Sequence, residues 1–324
     1  MIKIDDVSIE DWSKVNEVNR KMVDEFLEQS TTLSEYTLRQ YKSGLHIYFR
    51  YVSENLDNKP FYDLRGRDYL RFQNWLIKME QSSNSIRFKR SCVSTFNNFV
   101  ELYYGEDTYK GFRNYINKAI SLPAMDKKEK FPLSLEEYNH ICETLAEQGK
   151  WQVRAYLIFS FETGARRNEV RQLLKECLSN EPKIVISNGE EKKIYSTNKI
   201  RCKGKGVMGK QRILQFGESA YNAIKKWLEV RGEDDCPHVF VTKSNEKYHQ
   251  VGESTFNGWG NEHIEPILGR NFFPHLIRSS RVTTMVKEDG KSIDIAQKLL
   301  GHNSSATTSI YLVDKDKENA DDAF

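Results

Sequence analysis

His275-Leu276-Ile277-Arg278, a helical run from Ile293 to Leu300, Gly301-His302 and, nine residues on, a lone Tyr311 fall within the last fifty residues. His275 and Arg278 stand three apart, so on a helix they share a face and both heads can reach one small target. Gly301 ends the helical pattern before it, and His302 sits where the chain turns. Tyr311 follows Thr307-Thr308-Ser309, a polar segment in which a phenol can face outward. Two imidazoles, a guanidinium and a phenol can together hold a phosphate and attack it. The stretch predicts phosphoryl-transfer chemistry in place of hydride or acyl transfer.

The charge distribution points the same way. The whole chain of 324 residues carries only +3, but residues 192–231 hold 11 basic against 2 acidic side chains and residues 36–100 hold 11 against 5. Two basic blocks beside a phosphate-type site predict a nucleic-acid partner. Inside the second block, Lys203-Gly204-Lys205-Gly206-Val207-Met208-Gly209-Lys210 lies between strand patterns. Its glycines suggest a tight turn presenting Lys205 at a hairpin tip. Gly204 to Lys210 also has the spacing of a nucleotide-binding P-loop, but Gln211 follows where a magnesium-binding Ser or Thr is needed. A strand pattern, not a helix, continues from there, so no helix N-terminus would cap a phosphate.

Upstream, apolar stripes at helical spacing run through Val15–Phe26, Leu38–Val52, Tyr69–Met79 and Ile86–Tyr103, with a short fifth over residues 112–120. They predict an all-α domain over residues 1–122, with the aromatic stripes as core. Arg87, Lys89 and Arg90 open the fourth helix and are candidate phosphate contacts, as are Lys203, Lys210 and Arg212. Pro123, the charged run from Asp126 to Lys130 and Pro132 predict an exposed linker over 123–132. A second domain over 133–324 begins with a Ser134/Glu137 capping box. It carries the only strand signals: Ile184-Val185-Ile186, Asn188-Gly189, Ile194-Tyr195 and Ile213-Leu214-Gln215-Phe216. The expected fold is therefore mainly α with a small antiparallel β-sheet.

With 38% hydrophobic and 29% charged residues, the composition is that of a soluble protein. No apolar stretch is long enough for a membrane span, and Met1–Trp12 lacks a signal-peptide run. The cysteines at 92, 142, 177, 202 and 236 are scattered, which suits a reducing cytoplasm and gives no zinc pattern. The Asn303-Ser304-Ser305 sequon is accordingly expected to stay unmodified.

Thr163-Gly164-Ala165-Arg166 with Glu169, Gly204-Lys205-Gly206, His275-x-x-Arg278, Leu300-Gly301-His302 and Tyr311 together resemble the tyrosine recombinases, the phage-integrase and Xer-like site-specific DNA recombinases. The pieces occur in the family's order over about residues 15 to 315. The resemblance implies a two-domain DNA clamp, a helical core-binding domain joined to a catalytic domain, with no arm-binding module before residue 13. It implies duplex DNA as partner, a homotetramer exchanging strands through a Holliday junction, and a cytoplasmic, nucleoid-associated site of action. An accessory DNA-bending or directionality factor is a further possible partner. The segment from Gly206 to Arg212 is longer than in many members, so Lys203 and Lys210 compete with Lys205 for the lysine's role. Arg167 likewise competes with Arg166. Ser279-Ser280-Arg281 departs from the usual continuation after Arg278, which concerns packing more than chemistry.

The implied roles answer real energetic demands. A phenol is only about 0.1% ionised at neutral pH, roughly 4 kcal/mol uphill. A phosphodiester also repels an anionic nucleophile. Arg166 and Arg278 would neutralise the phosphate with forks that match its non-bridging oxygens. His275 would accept the Tyr311 proton, His302 would hydrogen-bond the phosphate, and Lys205 would protonate the departing 5′ oxygen. The resulting 3′-phosphotyrosine keeps the bond energy, so the resemblance implies neither ATP nor metal and no cofactor. The basic blocks carry a direct consequence: DNA affinity is expected to fall roughly 10³–10⁵-fold between ~50 and ~200 mM salt, as for proteins neutralising ~6–10 phosphates. A salt titration of binding checks this, and a flat response would contradict it.

Overall fold

The computed structural model describes residues 2–116, 131–187, 189–202 and 209–301. These fall into two compact units, one on the N-terminal side of residue 117 and one from residue 131 on.

In the first unit, Ser8, Asn16, Ser34 and Ser82 each accept a hydrogen bond from a backbone N–H two or three residues ahead, answering donors that a helix start leaves unpaired. The helices that follow are α1 (Ile9–Lys14), α2 (Glu17–Gln29), α3 (Glu35–Asn55) and, after α4 (Gly66–Lys78), α5 (Ser83–Tyr104). The aromatic stripes are core: Tyr48, Phe49, Phe72 and Phe96 are buried together. Tyr48 meets Phe72 edge-on at 4.9 Å, and Phe49 meets Phe96 at 5.5 Å, the geometry the ring quadrupole favours. Buried Asn19 accepts from the Phe61 N–H at 2.7 Å and donates to the Lys59 carbonyl at 2.9 Å.

The expected fifth helix does not form where it should begin. Residues 112–115 are irregular, and 117–120 lie outside the described residues. Asn114 supplies the reason. Its side chain donates to the Ser94 carbonyl at 3.0 Å and accepts from the Ile116 N–H at 3.2 Å, while its own N–H goes to Glu101 at 2.7 Å. Side-chain bonds of this kind outcompete a helical ladder. Phe112 and Ile116 still reach the core.

The second unit starts before residue 133. Arg270 donates to the carbonyls of Phe131 at 2.8 Å and Pro132 at 3.2 Å, so this end of the expected linker is docked. The Ser134/Glu137 capping box forms in both directions, at 3.1 and 2.9 Å, and opens α6 (Leu135–Glu147). Next come the largely buried α7 (Trp151–Thr163) and the single turn α8 (Arg167–Val170). Strands β1 (Lys183–Ser187), β2 (Glu190–Ser196) and β5 (Gln215–Phe216) make one antiparallel sheet in the order β1-β2-β5. Between them β3 (Ile200–Cys202) pairs with β4 (Lys210–Arg212), Cys202 opposite Lys210. After α9 (Glu218–Arg231) a third pair forms, β6 (Val241–Ser244) with β7 (Lys247–Gln250). Helices α10 (Thr255–Trp259), α11 (Glu265–Leu268), α12 (Pro274–Thr283) and α13 (Ile293–Leu300) complete the described chain.

One sheet was the expectation; the described residues hold three. The β6–β7 hairpin escapes a pattern search because its strands are mostly exposed and polar. Its turn rests instead on left-handed backbone at Asn245 (φ 49°) and Glu246 (φ 61°), the twist a two-residue hairpin needs. Among the described residues, no helix is long and apolar enough to cross a membrane. The capping box yields a stability test: Ser134→Ala should cost about 1 kcal/mol, read as a lowered urea midpoint. An unchanged midpoint would mean the cap is idle.

Candidate active site

The site is built at a turn that only glycine permits. Gly164 ends α7 with φ 57°, and a Cβ there would lie 2.5 Å from Leu300 Cδ2 on α13. The chain then extends through Ala165 to Arg166, which starts α8. The Arg166 N–H donates to Glu169 Oε2 at 2.9 Å, and its Nη1 donates to Glu169 Oε1 at 3.0 Å. Glu169 is thus the N3 residue of the α8 capping box. Its side chain is only 2% exposed, whereas that of Arg166 is 31% exposed.

Arg212 on β4 reaches the same carboxylate, with Nη2 at 2.6 Å from Oε2. Burial alone would raise the Glu169 carboxyl. The Arg212 charge, the Arg166 N–H and the Arg166 charge together outweigh it and hold the group below its ordinary value of 4.5. Glu169 therefore stays ionised at neutral pH.

Both remaining strands of the site end on α13. Arg212 Nη1 donates to the Leu299 carbonyl at 2.8 Å. Arg278, 1% exposed, donates from Nη2 to the Leu300 carbonyl at 2.8 Å and from Nη1 to the Gly164 carbonyl. The last carbonyls of a helix lack amide partners and carry partial negative charge, so cations belong there. Gly301 follows with φ 63°, and a Cβ on it would come within 3.0 Å of Arg212 Nη1. It leads directly to His302.

Of the expected catalytic residues, Arg166 and Arg278 are thus brought to one turn. His275 lies on α12 three residues before Arg278 but is exposed while Arg278 is drawn inward. Arg167 points elsewhere, donating to Asn257 at 3.0 Å, which leaves Arg166 as the arginine at the Glu169 centre. Lys203, Lys205, His302 and Tyr311 lie outside the described residues. Among the expected DNA contacts, Arg87 and Lys210 are exposed. Lys89 donates to Ser85 at 2.8 Å, and burial lowers its ammonium. Arg90 reaches the Ile116 carbonyl at 3.4 Å. Arg212, grouped with them by its place in a basic block, turns inward with a side chain only 14% exposed, its charge spent on Glu169. That pairing spans 43 residues, and no local pattern announces it. Ser280, where the sequence departs from its relatives, is a packing residue: its buried hydroxyl accepts from the Leu133 N–H and donates to the Leu276 carbonyl, each at 2.8 Å.

Comparison with known proteins shows the chain's family and fold. Residues 132–318 match the model of the Phage integrase family. The SPbeta prophage-derived recombinase-like protein YomM of Bacillus subtilis (strain 168) is 29% identical over 311 residues, 95% of this chain and 91% of its own. A tyrosine recombinase of Thermosipho africanus is 24% identical over 93% of this chain and 96% of its own. Among solved structures, the fold resembles a lambda integrase tetramer bound to a Holliday junction (TM-score 0.64, 17% identity, 91% of this chain and 77% of that one). It also resembles the Tn1549 transposon integrase in complex with circular intermediate DNA (TM-score 0.67, 14% identity, 94% and 98%).

The charge balance at Glu169 is testable by pH. A depressed carboxyl contributes stability that is present above its unfolded value, near 4.5, and is lost as pH falls through the lower folded value. Glu169→Gln should therefore be less stable than wild type at pH 7, by on the order of 3 kcal/mol for a broken buried pair. The gap should narrow on acidification through this window. Urea midpoints at both pH values decide it; a gap independent of pH would contradict the assignment.

Proposed function

The chain belongs to the phage integrase family, and from that membership we propose that it is a site-specific DNA recombinase that cuts and rejoins duplex DNA through Tyr311. The observation carrying this reading is that Arg278 bonds the carbonyl of Gly164, at the turn two residues before Arg166, and the carbonyl of Leu300 at the end of α13, two residues before His302. Bonds to backbone carbonyls hold the Arg278 fork, and the bond to Glu169 holds that of Arg166.

In this reading the two forks bind the non-bridging oxygens of one DNA phosphate and neutralise its charge. His275 accepts the phenolic proton as Tyr311 Oη attacks phosphorus. The bond from phosphorus to the 5′ oxygen breaks, and Lys205 gives that oxygen a proton. His302 donates a hydrogen bond to the phosphate. A 3′-phosphotyrosine and a free 5′ hydroxyl result; attack by a 5′ hydroxyl from another strand reverses the steps and releases the tyrosine. Exchange in pairs would pass through a Holliday junction in a tetramer, the assembly in which the lambda integrase neighbour is described. The helical unit (residues 1–122) and the catalytic unit (133–324, with the last residues of the 123–132 linker docked on it) would each contact the duplex. The exposed Arg87 and Lys210 would meet phosphates. A prophage-derived relative supports a mobile element as the setting; acting on duplex DNA, the enzyme would work in the cytoplasm, at the nucleoid. A DNA-bending or directionality factor would fit the same scheme.

A nicked suicide substrate tests the reading, because loss of the short fragment carrying the 5′ hydroxyl traps the covalent complex. Wild type should form a protein–DNA adduct and Tyr311→Phe none; equal behaviour would end the proposal. Arg278→Lys should retain DNA binding and lose roughly 10²–10³-fold in cleavage, since a point charge replaces a fork. Equal losses of binding and cleavage would contradict the role given to Arg278.

A further inference from the structure

Glu169 serves two arginines at once, and the two are not equivalent. Arg166 approaches Oε1 through Nη1 at 3.0 Å, with its side chain 31% exposed. Arg212 approaches Oε2 through Nη2 at 2.6 Å, with its side chain 14% exposed. Two guanidiniums and one carboxylate leave a net positive charge. Arg212 is the shorter, more buried contact and is held on its other side by the Leu299 carbonyl at 2.8 Å. The excess charge therefore resides on Arg166, the partner facing solvent.

From this arrangement we infer that Arg212 is a positioning residue for the proposed cleavage: it occupies Glu169 so that the Arg166 fork stays available to DNA. The inference rests on the recombinase reading above. Without Arg212, both carboxylate oxygens would be open to the one remaining guanidinium. Side-on, two-point pairing between an arginine and a carboxylate is the strongest geometry open to the pair. Arg166 would rotate onto Glu169, and the charge meant for the phosphate would be cancelled inside the fold. The Leu299 bond adds a second restraint: the same guanidinium fixes the end of α13, where a Cβ on Gly301 would come within 3.0 Å of it.

The test compares Arg212→Met, Arg212→Lys and the double variant Arg212→Met/Glu169→Gln. Single-turnover adduct formation at saturating duplex DNA, the salt slope of DNA binding and the thermal midpoint are measured for each. Arg212→Met should cleave roughly 10²-fold more slowly, the loss expected for one phosphate donor, with the salt slope reduced by about 0.9 because the captured Arg166 no longer meets a phosphate. Adding Glu169→Gln should restore at least tenfold of that loss, because no carboxylate remains to capture Arg166. Arg212→Lys, which keeps a cation on Glu169, should stay within about tenfold of wild type; it decides the matter if Arg212→Met fails to fold. Three results would each overturn the inference: a salt slope still reduced by about 0.9 in the double variant, meaning that Arg212 itself touches a phosphate; no recovery of cleavage in the double variant; or an Arg212→Lys defect as deep as that of Arg278→Lys. Wild-type cleavage that is absent, or unaffected by Tyr311→Phe, defeats the recombinase reading itself. Wild-type cleavage matched by Arg212→Met defeats only the role of Arg212.

Discussion

A helix that stops leaves its last carbonyls without amide partners, and at the end of α13 two of them are answered by arginines from distant parts of the chain. Arg212 takes the Leu299 carbonyl and Arg278 takes that of Leu300, each at 2.8 Å. Both arginines reach back to the same short segment, Arg212 through Glu169 and Arg278 through the Gly164 carbonyl. Four pieces of the chain are thereby tied into one polar knot: the segment from the turn after α7 to the start of α8, the β3–β4 hairpin, α12 and the end of α13. Helix-end carbonyls and one carboxylate hold the knot's cations in place; removing one partner from a buried pair of this kind typically costs about 3–5 kcal/mol.

The apolar packing around the knot makes the same connections. Leu300 is fully buried beside Val282, Met285 and Ala296, which seats α13 against the end of α12. Its side chain also approaches Gly164 so closely that no Cβ fits there. The two glycines at this junction, Gly164 and Gly301, thus combine left-handed backbone with a lack of space, and neither role alone would explain both. Rigidity at this point matters for chemistry, since a fork displaced by an ångström no longer meets the oxygens of a phosphate.

How much of this was legible beforehand depended on the range of the interaction. Helix starts set by a residue and its neighbour three ahead, such as Ser134 with Glu137, are readable because both partners sit in one window. The Gly301 stop is readable for the same reason. Asn114 misled because an apolar period continued across it while its side chain bonded to Ser94 on α5, 20 residues away in sequence and outside any window. The β6–β7 hairpin was missed because polar, exposed strands carry no alternation to detect. Arg212 is the instructive case: in a basic block its charge suggests a polyanion outside, yet its counter-charge is Glu169, 43 residues earlier. Net charge counts residues; only the fold says which charges are already paired. The residues that make the family recognisable, by contrast, are chemically specialised, so their order could be read without knowing what they touch.

The account stands on two arginines and a phenol meeting at one phosphorus, and vanadate tests that most directly. Vanadate bridging a tyrosine and a DNA end adopts the five-coordinate geometry of the transition state. A structure of the protein with vanadate and the DNA recovered from its covalent adduct should place Arg166 and Arg278 on the equatorial oxygens at roughly 3 Å. The Tyr311 oxygen should occupy an apical position. A vanadium centre bound without either arginine, or with Tyr311 distant in its own subunit and in every neighbour, would contradict the account.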